Sequence, residues 1–159
     1  MKTNPDPVIR FEAAKGKYFL VLTYTYILLG IAIIASGILL EQNITSFDSI
    51  VIFIWAATCA YHFYRLKNTY YQLYGNTLFY RSGFTKGSIP ISSIRKVNKQ
   101  SKMIGDFKAS LSGNGLLLIY NKYDELFIAP KDPEALLAGL LKINPKIEVT
   151  APKKVVKTA

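Results

Sequence analysis

The sequence predicts a two-helix transmembrane hairpin followed by a small α+β domain of about seven antiparallel strands and one C-terminal helix. Three observations carry this expectation. Two apolar stretches, Tyr18–Leu40 and Phe47–Tyr64, lie close together near the start of the 159 residues. From Thr69 onward the chain turns polar and basic, and breaks into short runs bounded by Gly, Asn and Pro. One stretch with apolar residues at helical spacing then follows Asp132.

Tyr18–Leu40 holds 23 residues and no charge. At a rise of about 1.5 Å per residue it covers roughly 34 Å, enough for a hydrocarbon core of about 30 Å. Phe47–Tyr64 is 18 residues with one acid, Asp48, at its outer end. It spans about 27 Å, which suffices if Asp48 lies at the interface. The connector between them, residues 41–46, is short and polar, so the two spans are antiparallel. A buried hairpin of a soluble protein is disfavoured, because the first run lacks a polar face. A cleaved signal peptide is disfavoured too: the run exceeds an h-region of about 7–15 residues, and a second span follows.

Orientation follows from the basic residues. The leader, residues 1–17, carries Lys2, Arg10, Lys15 and Lys17; the connector carries none; Arg65 and Lys67 follow the second span. The positive-inside rule places both ends in the cytoplasm. Tyr18, Phe19, Tyr61, Phe63 and Tyr64 gather at the same inner interface, where amphipathic rings prefer to sit. Ala32/Ser36 and Ala56/Ala60 put small residues four apart, which predicts close packing within the hairpin in preference to dimerisation. His62, the single histidine, lies near the inner interface, and a proton relay is the lesser reading of it. Cys59 is alone and behaves as a small hydrophobe.

In the polar half, Thr69–Tyr74 and Thr77–Ser82 flank Gly75-Asn76, a strong hairpin signal. A turn over 83–87 leads to a strand Ser88–Ile91, and Pro90 sets it at an edge or a bulge. Ile94–Asn98, Phe107–Leu111, Gly115–Asn121 and Glu125–Ala129 complete the set. Asp132 is an N-cap, Pro133 fits the first helical position, and Glu134 suits the helix dipole. Leu136, Leu137, Leu140, Leu141 and Ile143 form the apolar stripe, and Asn144-Pro145 ends it. The folded part runs over 69–147. The tail 148–159 reads as disordered and basic.

Three segments resemble one family: Tyr74–Gly83 (YGNTLFYRSG), Ile89–Val97 (IPISSIRKV) and Phe127–Pro133 (FIAPKDP). They are similar to the short bacterial pleckstrin-homology-like (PH) domains of YyaB-like membrane proteins, over about residues 50–147. Members commonly place two spans before the domain. The resemblance implies an open barrel of two sheets plugged at one end by the last helix, in a multi-pass protein of the bacterial plasma membrane. Its motifs are turns, core strands and a helix cap, and they speak to fold. Lipid-binding eukaryotic PH domains hold an inositol phosphate in a basic loop between the first two strands. Here that connection is Gly75-Asn76, so phosphoinositide binding does not carry over.

From Arg65 onward, sixteen Lys and Arg face six Asp and Glu. The densest basic segment, 95–108, reads as a long loop with Met103-Ile104 at its tip. Arg95, Lys96, Lys99, Lys102 and Lys108 are its candidate contacts to anionic lipid or to a protein partner. Catalysis is disfavoured: the single His lies in a span, so no base stands beside a nucleophile. No phosphate loop and no metal-ligand spacing is present, and no cofactor is expected. Nucleic acid is disfavoured as a partner, because the tyrosines fall at strand spacing and the membrane limits access. Two functions remain. One is a membrane-anchored, non-catalytic module that presents a basic cytoplasmic domain to a protein partner. The other is a lipid-apposed module that binds anionic head groups through 95–108. Homo-oligomerisation of the hairpin stays open.

Overall fold

The computed structural model describes residues 8–39, 45–102 and 109–150. Two long apolar helices, α1 (Lys17–Leu39) and α2 (Ser46–Lys67), precede most of a β-domain. A short strand, β1 (Ile9–Glu12), comes before them. The remaining strands are β2 (Thr69–Tyr74), β3 (Thr77–Ser82), β4 (Thr85–Pro90), β5 (Ile94–Lys102), β6 (Asn114–Tyr120), β7 (Asp124–Ile128) and β8 (Glu148–Thr150). Helix α3 (Pro133–Ile143) lies between β7 and β8.

Both long helices are of a length and composition able to cross a membrane. Helix α2 begins with a capping box: the Thr45 hydroxyl accepts from the Asp48 amide, and the Asp48 carboxylate accepts from the Thr45 amide. It continues past Tyr64 to Lys67, one turn beyond the apolar run. No residue of α2 is buried, and in α1 only Thr23 and Gly30 are. Apolar side chains therefore cover the outside of the hairpin, the reverse of a water-soluble helix. The helices meet where the Trp55 indole lies on Gly30, with Trp55 Nε1 donating to the Tyr26 carbonyl at 3.3 Å. The expected seams, Ala32/Ser36 and Ala56/Ala60, are exposed. A missing side chain at Gly30 admits a whole indole, and that fit fixes the rotation of the helices.

The domain has two four-stranded sheets, ordered β1-β2-β3-β4 and β7-β6-β5-β8. Two-residue turns join β2 to β3 and β3 to β4. Each starts with a glycine at positive φ, Gly75 at 50° and Gly83 at 61°, which matches the twist of the strands. The second turn is shorter than the expected 83–87, so β4 starts at Thr85. Pro90 closes this strand, which lies at a sheet edge as the sequence suggests. The eight strands also differ from the expected set at both ends of the chain. Ile9–Glu12, read as leader, pairs antiparallel with β2, and Glu148–Thr150, read as tail, pairs parallel with β5. In the stretch read as a strand over 107–111, Phe107 and Lys108 lie outside the described residues, and Ala109–Leu111 is not a strand.

The inner faces of both sheets and α3 form one core. Tyr71, Leu78, Ile91, Val97, Leu118, Ile128, Leu136 and Leu140 are among its fully buried members. Helix α3 follows the predicted cap, with Asp132 Oδ1 accepting from the Ala135 amide at 2.9 Å and Pro133 in the first turn. Its C-terminal Asn144 donates through Nδ2 to the carbonyls of Ile91 and Ile94, which holds the helix to the corner between β4 and β5. Strand β1 seals the seam between the sheets: Ala13 bridges Pro130, the Ala14 amide donates to the Ala129 carbonyl, and the Lys131 amide donates to the Glu12 carbonyl.

One polar group crosses this core. The Tyr71 hydroxyl donates to the Ala109 carbonyl at 2.6 Å and accepts from the Ala129 amide at 3.0 Å. Burial pushes the phenol above its ordinary range, so it remains a neutral donor at physiological pH. Tyr71→Phe strands a buried carbonyl and a buried amide, and we expect a loss of about 1–3 kcal/mol. Chemical unfolding of the full chain in detergent measures it; an unchanged midpoint would contradict this account.

Candidate interaction surfaces

Helix α2 and strand β2 are separated by one residue, Asn68. The junction is fastened from several sides. Arg65 Nε donates to Ser82 Oγ at 3.2 Å, and its Nη2 donates to the Ser110 carbonyl at 3.2 Å. Its guanidinium also lies 5.7 Å from the Phe19 ring centroid on α1. The Thr69 hydroxyl donates to the Arg65 carbonyl at 2.7 Å, and the Gly83 amide donates to the Asn68 carbonyl at 3.0 Å. On the α1 side, the Gly16 amide donates to the Leu111 carbonyl at 3.0 Å. The start of α1 and the end of α2 are thus bonded to the domain.

The turn between β3 and β4 adds an aromatic contact. Phe84 stacks on Tyr64 and Tyr61, with ring centroids 4.8 and 5.5 Å apart, yet stays 72% exposed. His62 lies among Phe19, Tyr26 and Tyr61, with centroids 5.6 to 6.4 Å away. Its Nδ1 is buried and has no partner among the described residues.

The predicted basic segment takes a different form. Residues 95–102 belong to strand β5 and are not a loop. Val97 on this strand is fully buried, and β6 and β8 flank it. Irregular register between Ile94 and Lys96 and between Asn98 and Ser101 breaks the alternation that would mark a strand in the sequence. The charges are also dispersed. Arg95 Nη1 donates to the carbonyls of Asn121 and Lys122 in the β6–β7 turn. Lys96 pairs with Glu148 at 3.0 Å, and Lys99 with Glu134 at 2.7 Å. Lys102 ends β5, and Lys108 lies outside the described residues.

A second basic surface went unnoticed in the sequence. The outer face of the first sheet carries two rows, read from register: Glu12–Tyr70–Arg81–Lys86 and Arg10–Gln72–Phe79–Ser88. Arg81 and Lys86 are direct cross-strand partners. They stand two residues to either side of Gly83–Phe84, on different strands, so no basic run announces them. Tyr70, Gln72, Phe79, Arg81, Lys86 and Ser88 line an open groove of about 410 Å³. Among the described residues, no group of three or more His, Cys, Asp and Glu is placed to hold a metal ion.

Arg65→Ala removes the link from α2 to Ser82 and Ser110 and leaves the Ser110 carbonyl without that partner, for an expected cost of about 1–3 kcal/mol. Limited proteolysis of the full chain should then cut faster near Asn68, while Arg65→Lys has a smaller effect. Equal cutting in wild type and Arg65→Ala would show that the junction does not depend on this side chain.

Residues 69–144 match the family of bacterial PH domains. No curated protein and no solved structure gives a match.

Proposed function

We propose, from the premise that residues 69–144 form a bacterial PH domain, that this chain is a membrane-anchored interaction module without catalytic activity. It sits in the bacterial plasma membrane with both flanks of the hairpin in the cytoplasm, and it presents the domain to a protein partner. The observation that carries this reading is the one-residue junction between α2 and β2, fastened by Arg65. A domain on a long linker samples many poses; one bonded to its anchor holds a surface at a set height and angle. Confinement beside the bilayer also raises the effective concentration toward a membrane-bound partner.

The β1–β2 pairing supports the topology. Residues before α1 and after α2 share one sheet, so they lie on the same side of any bilayer that the hairpin crosses. The basic residues on both flanks favour the cytoplasmic side. Four acids of the domain are spent on structure, which supports a non-catalytic role. Asp132 caps α3, Asp124 accepts from Asn121 Nδ2, and Glu134 and Glu148 pair with lysines. The same pairs make Arg95, Lys96, Lys99, Lys102 and Lys108 the weaker choice for a head-group surface, because Lys96 and Lys99 already hold partners.

Photo-crosslinkers placed on the full chain in native membranes test the reading. We expect a discrete protein adduct from the domain surface, and reporter fusions at both ends that are active only in the cytoplasm. A reporter active outside the cytoplasm, or no adduct from positions on either sheet, would contradict it.

A further inference from the structure

We infer that the outer face of the first sheet is a binding site for the phosphate of an anionic phospholipid from the leaflet beside the domain, with Arg81 and Lys86 as its cationic contacts. The inference begins with register. Arg81 and Lys86 oppose each other across β3 and β4, and like charges in that relation are destabilising unless something neutralises them. Among the described residues, no ion pair joins either one to an acid. Glu12, the acid in the same row, lies within 3.8 Å of Lys131. Arg10, in the next row, lies over the Tyr70 ring at 4.0 Å and adds a third positive charge to the face.

Height fixes the source of the anion. Arg81 Nη2 donates to the Tyr64 hydroxyl at 2.8 Å, and Tyr64 is in the last turn of α2. The guanidinium is therefore level with the end of the apolar helix, where head groups lie. Its Nε donates to the Gly83 carbonyl at 3.1 Å, so the plane of the fork is set before any ligand arrives. Phe84, exposed and stacked on Tyr61 and Tyr64, occupies the same level and offers an aromatic anchor at the interface. Tyr70 lies in the same row as Arg81, and Gln72, Phe79 and Ser88 in the next row continue the groove away from that level. The site differs from the 95–108 segment in sheet, strands and residues. It also lies away from the Gly75-Asn76 turn.

This assignment rests on the hairpin crossing a bilayer, and the experiment separates the two. Delipidated full-length protein in neutral detergent is titrated with short-chain phosphatidylglycerol, short-chain phosphatidylcholine and inorganic phosphate, with bound lipid read by native mass spectrometry. We expect phosphatidylglycerol to bind selectively and to weaken with salt. Arg81→Gln/Lys86→Gln should weaken it by about tenfold, and Lys86→Gln alone, which breaks no hydrogen bond or ion pair among the described residues, by a smaller factor. Lys96→Gln/Lys99→Gln should leave it within about twofold, since exposed pairs on the other sheet contribute little. Equal retention of the two lipids overturns the site, as does equal loss in the Lys96/Lys99 variant. Phosphate competing as strongly as the lipid makes the groove a free-anion site and overturns the lipid assignment. A protein crosslinked at Lys86 with no lipid selectivity gives the face to a protein and also overturns it. Carbonate extraction of native membranes reports on the hairpin: a chain that stays in the membrane without selectivity loses only this site, and a chain that is extracted loses the membrane placement as well.

Discussion

Three consecutive carbonyls hold this molecule together. Those of Ala109, Ser110 and Leu111 accept, in turn, from the Tyr71 hydroxyl, the Arg65 guanidinium and the Gly16 amide. The three donors belong to the sheet, to α2 and to the entry of α1. A short buried segment thus joins the core to both helices through groups that would be costly to leave unpaired. Its own conformation follows from the same fact. Carbonyls committed to a phenol, a guanidinium and a helix-flanking amide are not available to a ladder, so a stretch with a strand-like sequence does not become a strand.

The junction explains why the domain relates to the helices as it does. One residue between α2 and β2 leaves little freedom, and Arg65, Thr69 and Gly83 remove most of what is left. The turn bearing Gly83 and Phe84 is thereby pressed against the last turns of α2, and Arg81 is carried to Tyr64. The candidate surfaces inherit their positions from this arrangement. On the second sheet, Lys96 and Lys99 of β5 find Glu148 and Glu134 on neighbouring elements and become part of the domain's own bonding. On the first sheet, Arg81 and Lys86 meet each other.

The hairpin, the helix cap at Asp132 and the Gly75-Asn76 turn were legible because each rests on local signals within a few residues. The elements that were missed are those made by distant partners. Ile9–Glu12 reads Ile-Arg-Phe-Glu, too short and too charged to announce a strand, and it becomes one because β2 offers an edge. Strand β5 was expected over Ile94–Asn98 and runs on to Lys102; that extension passes for a loop because it carries lysines and no apolar residue, and the register is irregular there. The Gly30–Trp55 contact could not be read from small residues four apart, since it pairs an absent side chain with the largest one. For the sites, a run of lysines along the chain attracts notice, yet β5 spends two of them on acids from elsewhere. The Arg81/Lys86 face exists only in register.

Strand β1 is synthesised before both helices, and the strand it pairs with is made after them. The first sheet is therefore interrupted in sequence by the two apolar helices. With the membrane placement proposed above, a nascent chain would hold an unmated four-residue strand while the hairpin inserts, and the seam at Ala13 and Pro130 would close only when both flanks emerge into the same compartment. A chain inserted with a single crossing, or inverted at one end, has β1 and β2 on opposite sides and cannot complete the sheet. With that placement, folding of the domain would act as a proofreading step on insertion, since correct topology would be a precondition for the native state.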